Sequence, residues 1–170
     1  MVALNFPQRF VPPIVSYRKR RTIRQHGKRR PPKPGEYLQL YTGMRTKACR
    51  KILENDPFCM DLSEITIEIA VDRIEQIKVN GSIITDTMDE FAIGDGFEGS
   101  VDMHRYWLKS FGPGVFEGNL ITWLLRGICQ FCGCTDIDCS QCVAAQGDPC
   151  YWVDRDHTIC SRCFAIGGAS

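Results

Sequence analysis

The pattern of hydrophobic and polar positions divides the chain into short segments of two kinds. Five segments have the alternation or the β-branched composition of half-buried strands: residues 21–25, 37–41, 65–69, 74–79 and 120–124. Asn80-Gly81 separates residues 74–79 from 82–84, and this dipeptide is the strongest short signal for a β-hairpin. The sequence therefore predicts a small, mostly antiparallel β architecture.

Three further segments predict short helices. Residues 10–17 contain Pro12 and Pro13, which suit a first helical turn, and residues 88–93 form a second candidate. Residues 99–111 form the third, ended by Gly112-Pro113-Gly114. Its predicted apolar side consists of Val101, Trp107, Leu108 and Phe111. Two or three helices beside non-locally paired strands predict an α+β fold built on a partly closed barrel or a curved sheet.

The composition is that of an ordinary globular protein, with 44% hydrophobic and 24% charged residues among 170. No run of about 18 apolar residues occurs, which predicts that the chain does not enter a membrane. Residues 1–10 lack the apolar centre of a signal peptide, so we expect a cytoplasmic protein. The last predicted strand gives way to a cysteine-rich segment near Leu125, which predicts two domains, residues 1–125 and 126–170.

Charge is distributed unevenly along the chain. Residues 1–52 hold 14 lysines and arginines against one acid, Glu36, a net charge of +13, and the rest of the chain is net −12. The two regions either neutralise each other or leave a surface that faces phosphates, which we favour because residues 18–21 have no acid nearby. The residues predicted to bind nucleic acid are Arg18, Lys19, Arg20, Arg21, Arg24, Lys28, Arg29, Arg30, Arg45 and Lys47.

Eight of the ten cysteines lie between Cys129 and Cys163. A segment this short, with five aspartates, cannot bury enough apolar surface to fold alone. Two C-x-x-C pairs bracket it, Cys129/Cys132 and Cys160/Cys163, and two such pairs complete the tetrahedral thiolate shell of a structural zinc site. In a reducing cytoplasm, a metal site is favoured over disulfides.

The inner cysteines leave the number of zinc ions open at one or two. The further predicted ligands are Cys134, Cys142 and Cys150. Either Cys139 or Cys142 is alternatively a spare buried thiol, and His157 is an alternative ligand. Cys132 and Cys134 are separated by a single glycine, which argues against their binding different ions. The C-x2-C-x-C spacing differs from that of common iron–sulfur clusters.

Three blocks of the sequence resemble an ASCH domain of the PUA-like β-barrel superfamily: residues 19–24 (KRRTIR), 34–43 (PGEYLQLYTG) and 95–97 (DGF). The resemblance covers roughly residues 4–124. It implies a small barrel with a cleft lined by the lysine-containing segment, and contact with RNA or modified nucleosides. The whole chain is similar to a form found in phages and bacteria, which implies the bacterial host cytoplasm as its location if it is phage-encoded.

One branch of that family is an amidohydrolase that deacetylates N(4)-acetylcytidine with a lysine, a threonine three residues later and a distant acid. Lys19 and Thr22 match the first two positions; the third is a glutamate in that branch, where this chain offers Asp95 with Glu98 nearby. A threonine nucleophile needs a base, and a lysine is a base only when burial and nearby cations depress its pKa. On a regular strand Lys19 and Thr22 point to opposite faces, so their contact requires a bend before Thr22.

The sequence thus leaves three hypotheses. The first is a module that binds RNA, another nucleic acid or a modified nucleoside and is braced by zinc. In it, Lys19 and Thr22 line a phosphate-binding edge and Asp95 only bonds its own turn. The second is the amidohydrolase, with Thr22 as nucleophile, Lys19 as base, and Asp95 orienting the lysine or protonating the leaving amine. The third is a protein that binds a host factor through the acidic part of the chain.

Overall fold

The computed structural model describes residues 1–27 and 30–167, so the predicted nucleic-acid ligands Lys28 and Arg29 lie outside the described residues. The chain divides into two compact units, Met1–Trp123 and Leu124–Ser170. The sequence had placed this boundary at residue 125. Among the described residues, no helix has the length and apolar character needed to cross a membrane.

Eight strands and three α-helices form the described part of the first unit. The strands are β1 Val2–Phe6, β2 Arg21–Gln25, β3 Leu38–Thr42, β4 Arg50–Lys51, β5 Phe58–Ile69, β6 Ile74–Val79, β7 Ser82–Ile83 and β8 Gly114–Leu124. The helices are α1 Val11–Val15, α2 Met88–Gly94 and α3 Ser100–Phe111. A single 3-10 turn, Gln8–Phe10, precedes α1.

The strands form two open sheets, one of order β1-β3-β4 and one of order β2-β8-β5-β6-β7. In the smaller sheet β1 and β3 run parallel, with Leu4 opposite Leu40. In the larger sheet β2 pairs with β8 antiparallel and places Thr22 opposite Ile121. The α+β class is confirmed, but the predicted PUA-like barrel is not: the described strands close no barrel, because β2 and β7 end the larger sheet without a strand on their outer side.

Local sequence fixes the elements that lead to the 95–97 loop. Asn80 and Gly81 have φ of 50° and 79°, the positive values that a type I′ hairpin turn requires. Helix α2 begins with a capping box: the Glu90 backbone N–H donates to the Thr87 hydroxyl at 3.2 Å, and the Thr87 N–H donates to the Glu90 carboxylate at 2.9 Å. The helix start is therefore fixed, and with it the loop that carries Asp95.

Helix α3 contributes Met103 and Trp107 to the core. Its predicted apolar side is correct at Trp107 and wrong at Val101, which is 70% exposed. Val101 lies six residues before Trp107, about 120° away around the helix, whereas Met103 lies one turn before it on the same face. Trp107 also stacks on Phe111, with ring centroids 5.0 Å apart.

The second unit contains helices α4 Ser140–Gln146 and α5 Ser161–Gly167. Its hydrophobic core consists of sulfur: Cys129, Cys134, Cys142 and Cys160 are buried, and the other four cysteines and Trp152 pack around them. So small a core does not stabilise a fold of this length by hydrophobic burial alone.

Candidate functional site

A cavity of about 60 Å³ lies where β2 meets the 95–97 loop; we call it the lysine cavity. Its walls are Phe6, Pro7, Phe10, Lys19, Thr22, Ile23, Arg24, Asp95, Phe97, Tyr106 and Trp107. The three predicted catalytic residues therefore meet in one place. Lys19, Thr22 and Asp95 are only 2%, 5% and 4% exposed. Glu98, the other acid considered from the sequence, is exposed and does not line this cavity.

Lys19 reaches the cavity because it lies before β2 and escapes the alternation of the strand. Residues 18–20 have no regular secondary structure, and β2 begins at Arg21. The Lys19 backbone N–H donates to the Pro13 carbonyl at 2.8 Å, which ties this segment to α1. Because Lys19 lies outside the regular strand, it can line the same cavity as Thr22.

Asp95 holds the amine of Lys19 through two acceptors. Lys19 Nζ lies 2.8 Å from Asp95 Oδ1 and also donates to the Asp95 main-chain carbonyl. The Phe10 ring centroid lies 4.7 Å from the same nitrogen. Gly96 makes this approach possible: its φ is +88°, and a Cβ there would lie 2.8 Å from Lys19 Cδ.

Burial shifts the pKa values of Lys19 and Asp95 in opposite directions. Burial lowers the pKa of Lys19, Asp95 opposes that shift, and the charges of Arg24 and Arg21 lower the pKa further. Burial raises the pKa of Asp95, against the charge of Lys19. The pKa values of the two groups therefore lie closer together than in water. When Lys19 is neutral and Asp95 is ionised, two N–H groups of the lysine can serve the two Asp95 acceptors, which leaves its lone pair free to take a proton from another group.

Two hydrogen-bond donors of the cavity walls have no acceptor among the described residues. They are Arg24 Nε and Trp107 Nε1, and both atoms are buried. A buried donor left without an acceptor costs roughly 1–3 kcal/mol. The lysine cavity is therefore suited to a small group that carries a hydrogen-bond acceptor, such as a carbonyl oxygen.

A larger cavity of about 800 Å³, which we call the open cavity, lies beside β1, β2 and β8. Its lining includes apolar groups of Val2, Leu4, Pro31 and Ile121, and polar groups of Arg24, His26, Arg30 and Asn119. Its volume falls in the range of about 300–1,000 Å³ that is usual for small-molecule sites. Arg24 lines both cavities.

The predicted nucleic-acid ligands are divided between the interior and the surface. Three arginines bond backbone carbonyls of the first unit: Arg20 Nε to Tyr17 at 2.8 Å, Arg21 Nη2 to Phe91 at 2.7 Å and Arg24 Nη2 to Asn5 at 2.6 Å. Arg30 donates to both carboxylate oxygens of Glu36. Arg18, Arg45 and Lys47 are exposed. The first unit thus uses part of its basic charge internally.

The eight clustered cysteines of the second unit form two groups that could each hold a metal ion. The outer cysteine group is Cys129, Cys132, Cys160 and Cys163, and the inner cysteine group is Cys134, Cys139, Cys142 and Cys150. In each group the sulfur atoms lie within 4.8 Å of one another. The inner group includes Cys139, whose role the sequence left open. Neither group includes His157, which stacks on Trp152 with ring centroids 5.4 Å apart.

The structure places Cys132 and Cys134 in different groups, although the sequence argued against this. The reason is a tight turn at Gly133, whose φ is +73°. The Gly133 N–H donates to the Cys129 carbonyl at 2.9 Å, and the Cys129 N–H donates to the Cys134 carbonyl at 2.8 Å. The chain reverses there, so sulfurs two residues apart face different groups.

Hydrogen bonding prepares one of these thiols for a metal. Burial favours the neutral thiol of Cys160, but hydrogen bonds from the Cys163 backbone and from neighbouring thiols outweigh it and lower the pKa of Cys160 to about 6. A thiol with this pKa is a thiolate at neutral pH, which is the form that binds metal.

Sequence reasoning missed the aromatic wall of the lysine cavity. Phe10, Phe97 and Tyr106 pack edge to face or tilted, with ring centroids 5.2–5.7 Å apart. The helical period of α3 placed Trp107 on an apolar side, but periodicity carries no information about an indole N–H without an acceptor. Comparison with family models, curated proteins and solved structures gives no match to this chain. The ASCH resemblance therefore stays a prediction.

Proposed function

We propose that the first unit binds a nucleoside, free or as part of RNA, in the open cavity. The observation that carries this proposal is a cavity of about 800 Å³ whose lining joins apolar side chains to Arg24, His26 and Arg30. Apolar walls suit the face of a base, and the cationic and amide side chains suit its polar edge or a phosphate. The exposed side chains of Arg18, Arg45 and Lys47 add contacts to the RNA backbone.

Binding of a short single-stranded RNA at two salt concentrations tests this proposal. With about three phosphates neutralised, a fourfold rise in salt weakens binding by roughly 20-fold. His26→Ala removes an exposed ring from the cavity lining and weakens binding, whereas Arg73→Gln changes an exposed arginine paired with Asp72 and Glu75 and leaves it unchanged. Absent or salt-independent binding, or equal effects of the two variants, contradicts the proposal.

A second candidate function is hydrolysis of an acyl amide, such as the acetyl group of an N(4)-acetylated cytidine. The convergence of Lys19, Thr22 and Asp95 in the lysine cavity favours it. A volume of about 60 Å³ admits a group no larger than about two water molecules, at roughly 30 Å³ each, so only the acyl end of a substrate enters. Arg24 lines both cavities, so its side chain can contact both the acyl group and the rest of the nucleoside.

The proposed reaction assigns a role to each polar side chain named above, and Lys19 acts in both halves of it. The Thr22 oxygen adds to the acyl carbon while Lys19 Nζ takes its proton, and the carbonyl oxygen accepts hydrogen bonds from Trp107 and Arg24 as it becomes negative. The C–N bond then breaks, and the amine leaves with the proton from Lys19. Water next attacks the Thr22 ester with Lys19 again as base, and the acid is released. Asp95 keeps the lone pair of Lys19 directed at the hydroxyl.

Release of cytidine from N(4)-acetylcytidine, followed by chromatography, tests this reaction. Thr22→Val keeps the shape of the side chain and removes the nucleophile, so we expect the rate to fall by roughly 100-fold or more. Thr42→Val is the matched control, because Thr42 is an equally buried strand threonine outside the cavity. Hydrolysis that persists in Thr22→Val removes this candidate and leaves nucleoside binding untouched.

For the second unit we propose structural zinc in both cysteine groups. The set of four sulfurs in each group fits tetrahedral zinc, and no ligand position is left over for a substrate. Zinc contributes about 10–16 kcal/mol of apparent binding free energy in small fingers, enough to order a unit with a sulfur core. Native mass spectrometry of the full chain is expected to show two zinc ions. Cys160→Ser lowers that number, and Cys49→Ser, at an exposed cysteine of the first unit, does not.

A further inference from the structure

The two cysteine groups adjoin each other at three sulfur atoms. Cys142 of the inner group lies 3.8 Å from Cys132 and 3.8 Å from Cys160, measured between Sγ atoms, and both of these belong to the outer group. Cys132 and Cys160 are 3.6 Å apart. The three sulfurs therefore form a nearly equilateral triangle that mixes the two groups.

The size of this triangle is that of a metal site. Zinc binds thiolate sulfur at about 2.3 Å, so the sulfurs of a tetrahedral shell lie about 3.8 Å from one another. Cys142 lies at this spacing from two outer sulfurs and at 3.4 Å from Cys134 of its own group. Its sulfur is thus at coordination spacing from members of both shells.

We propose that the second unit holds one binuclear metal–thiolate cluster, in which the Cys142 thiolate bridges the two ions. The proposal rests on the metal binding proposed above, but it replaces two separate four-sulfur sites with one connected cluster. Two tetrahedral ions that share one thiolate need seven sulfurs, so one of the eight stays a free thiol. It belongs to the outer group, because Cys142 takes a place in that shell, and it is Cys129 or Cys163, because Cys132 and Cys160 form the triangle.

Burial is consistent with a shared sulfur at this position. Cys142 is fully buried, whereas Cys139 and Cys150 of the same group are partly exposed and lie 3.0 Å from each other, measured between Sγ atoms. A bridging thiolate carries charge shared by two cations and needs no solvent, which suits the most enclosed member of the inner group.

The test is to load the full chain with cadmium-113 and record its NMR spectrum. A bridging sulfur gives two cadmium resonances split by coupling to each other. Cys142→Ser abolishes the splitting, whereas Cys139→Ser, which also removes one inner ligand, keeps it. Alkylation of the loaded protein followed by peptide mapping is expected to label one cluster cysteine, either Cys129 or Cys163.

The outcomes separate the bridge from metal binding itself. Two resonances without mutual splitting, with all eight cysteines protected from alkylation, overturn the bridge and leave two independent sites. A single bound ion also overturns the bridge. A protein that binds no cadmium or zinc overturns both proposals.

Discussion

The buried Lys19–Asp95 pair offers a direct measurement of what burial does to an ion pair, because the chain contains a matched surface pair. Lys19 Nζ and Asp95 Oδ1 are 2.8 Å apart, with side chains 2% and 6% exposed. Lys51 Nζ and Asp56 Oδ1 are also 2.8 Å apart, but their side chains are 36% and 19% exposed. Lys19→Met and Lys51→Met therefore remove the same contact from two environments.

The two variants are expected to differ several-fold in free energy of unfolding. Lys19→Met leaves Asp95 buried without its partner, a change that costs about 3–5 kcal/mol. The partly exposed Lys51–Asp56 pair is expected to contribute about 1 kcal/mol. At about 2–4 °C per kcal/mol for a chain of this size, Lys19→Met lowers the melting temperature by roughly 6–20 °C. Lys51→Met lowers it by no more than about 4 °C.

The loss of stability in Lys19→Met also depends on pH, and its direction follows from the pKa of Asp95. Burial already raises the pKa of Asp95 in the intact protein, and Lys19→Met removes the charge that opposed the shift. Above the ordinary pKa of 3.8, the folded variant then holds a proton that the unfolded chain has released, so its stability falls as pH rises through this window. Lys19→Met is therefore less destabilising at pH 5 than at pH 8.

Urea denaturation at both pH values, with calorimetry for the melting temperatures, measures these differences. The double variant Lys19→Met/Asp95→Leu serves as a control and recovers most of the loss, because no uncompensated charge stays buried. Equal losses for Lys19→Met and Lys51→Met would refute the reasoning. So would a loss in Lys19→Met that grows as the pH is lowered.

Three further predictions follow from other contacts. Gly96→Ala brings a methyl group against Lys19 and lowers stability by at least about 1 kcal/mol more than Gly35→Ala, which has the same positive φ but open space around it; urea denaturation compares the two. Thr87→Ala removes the capping box of α2 and costs about 1 kcal/mol in the same assay, and an unchanged midpoint contradicts the cap. Removal of zinc with a chelator raises hydrogen exchange across residues 129–163 and leaves exchange in β5 unchanged, as read by mass spectrometry; uniform or absent change contradicts a structural role for the metal.

The elements predicted correctly are those that local sequence determines. The bounds of β2 agree with the prediction, and the β6–β7 hairpin follows from Asn80-Gly81. Strand β1 was missed although Val2, Leu4 and Phe6 alternate, because its partner β3 lies more than 30 residues away and pairs with it in parallel. Whether the sheet closes into a barrel could not be predicted for a related reason: closure depends on whether the two outer strands meet, and no local pattern encodes that.

The candidate sites were predictable to different degrees. The C-x-x-C spacing identified the outer cysteine group, since two residues between ligands suit one ion. The separation of Cys132 from Cys134 was not predictable from spacing, because it depends on the left-handed conformation of Gly133. In the lysine cavity, the resemblance supplied Lys19, Thr22 and Asp95. The unpartnered N–H groups of Arg24 and Trp107 could not be predicted, because they depend on which side chains surround them in the folded chain.

The energetic cost of the buried polar groups in the lysine cavity favours a role in function over a role in stability alone. A buried ion pair is often no more stabilising than apolar side chains of the same volume, and two buried donors without acceptors add a cost of roughly 1–3 kcal/mol each. If stability were the only requirement, aromatic and aliphatic side chains would be less costly at these positions than the ion pair and the two donors. Phe6 and Phe97, which line the same cavity, are side chains of this kind. A ligand that accepts hydrogen bonds from the two donors would remove this cost. Ligand binding in the lysine cavity is therefore expected to stabilise the first unit.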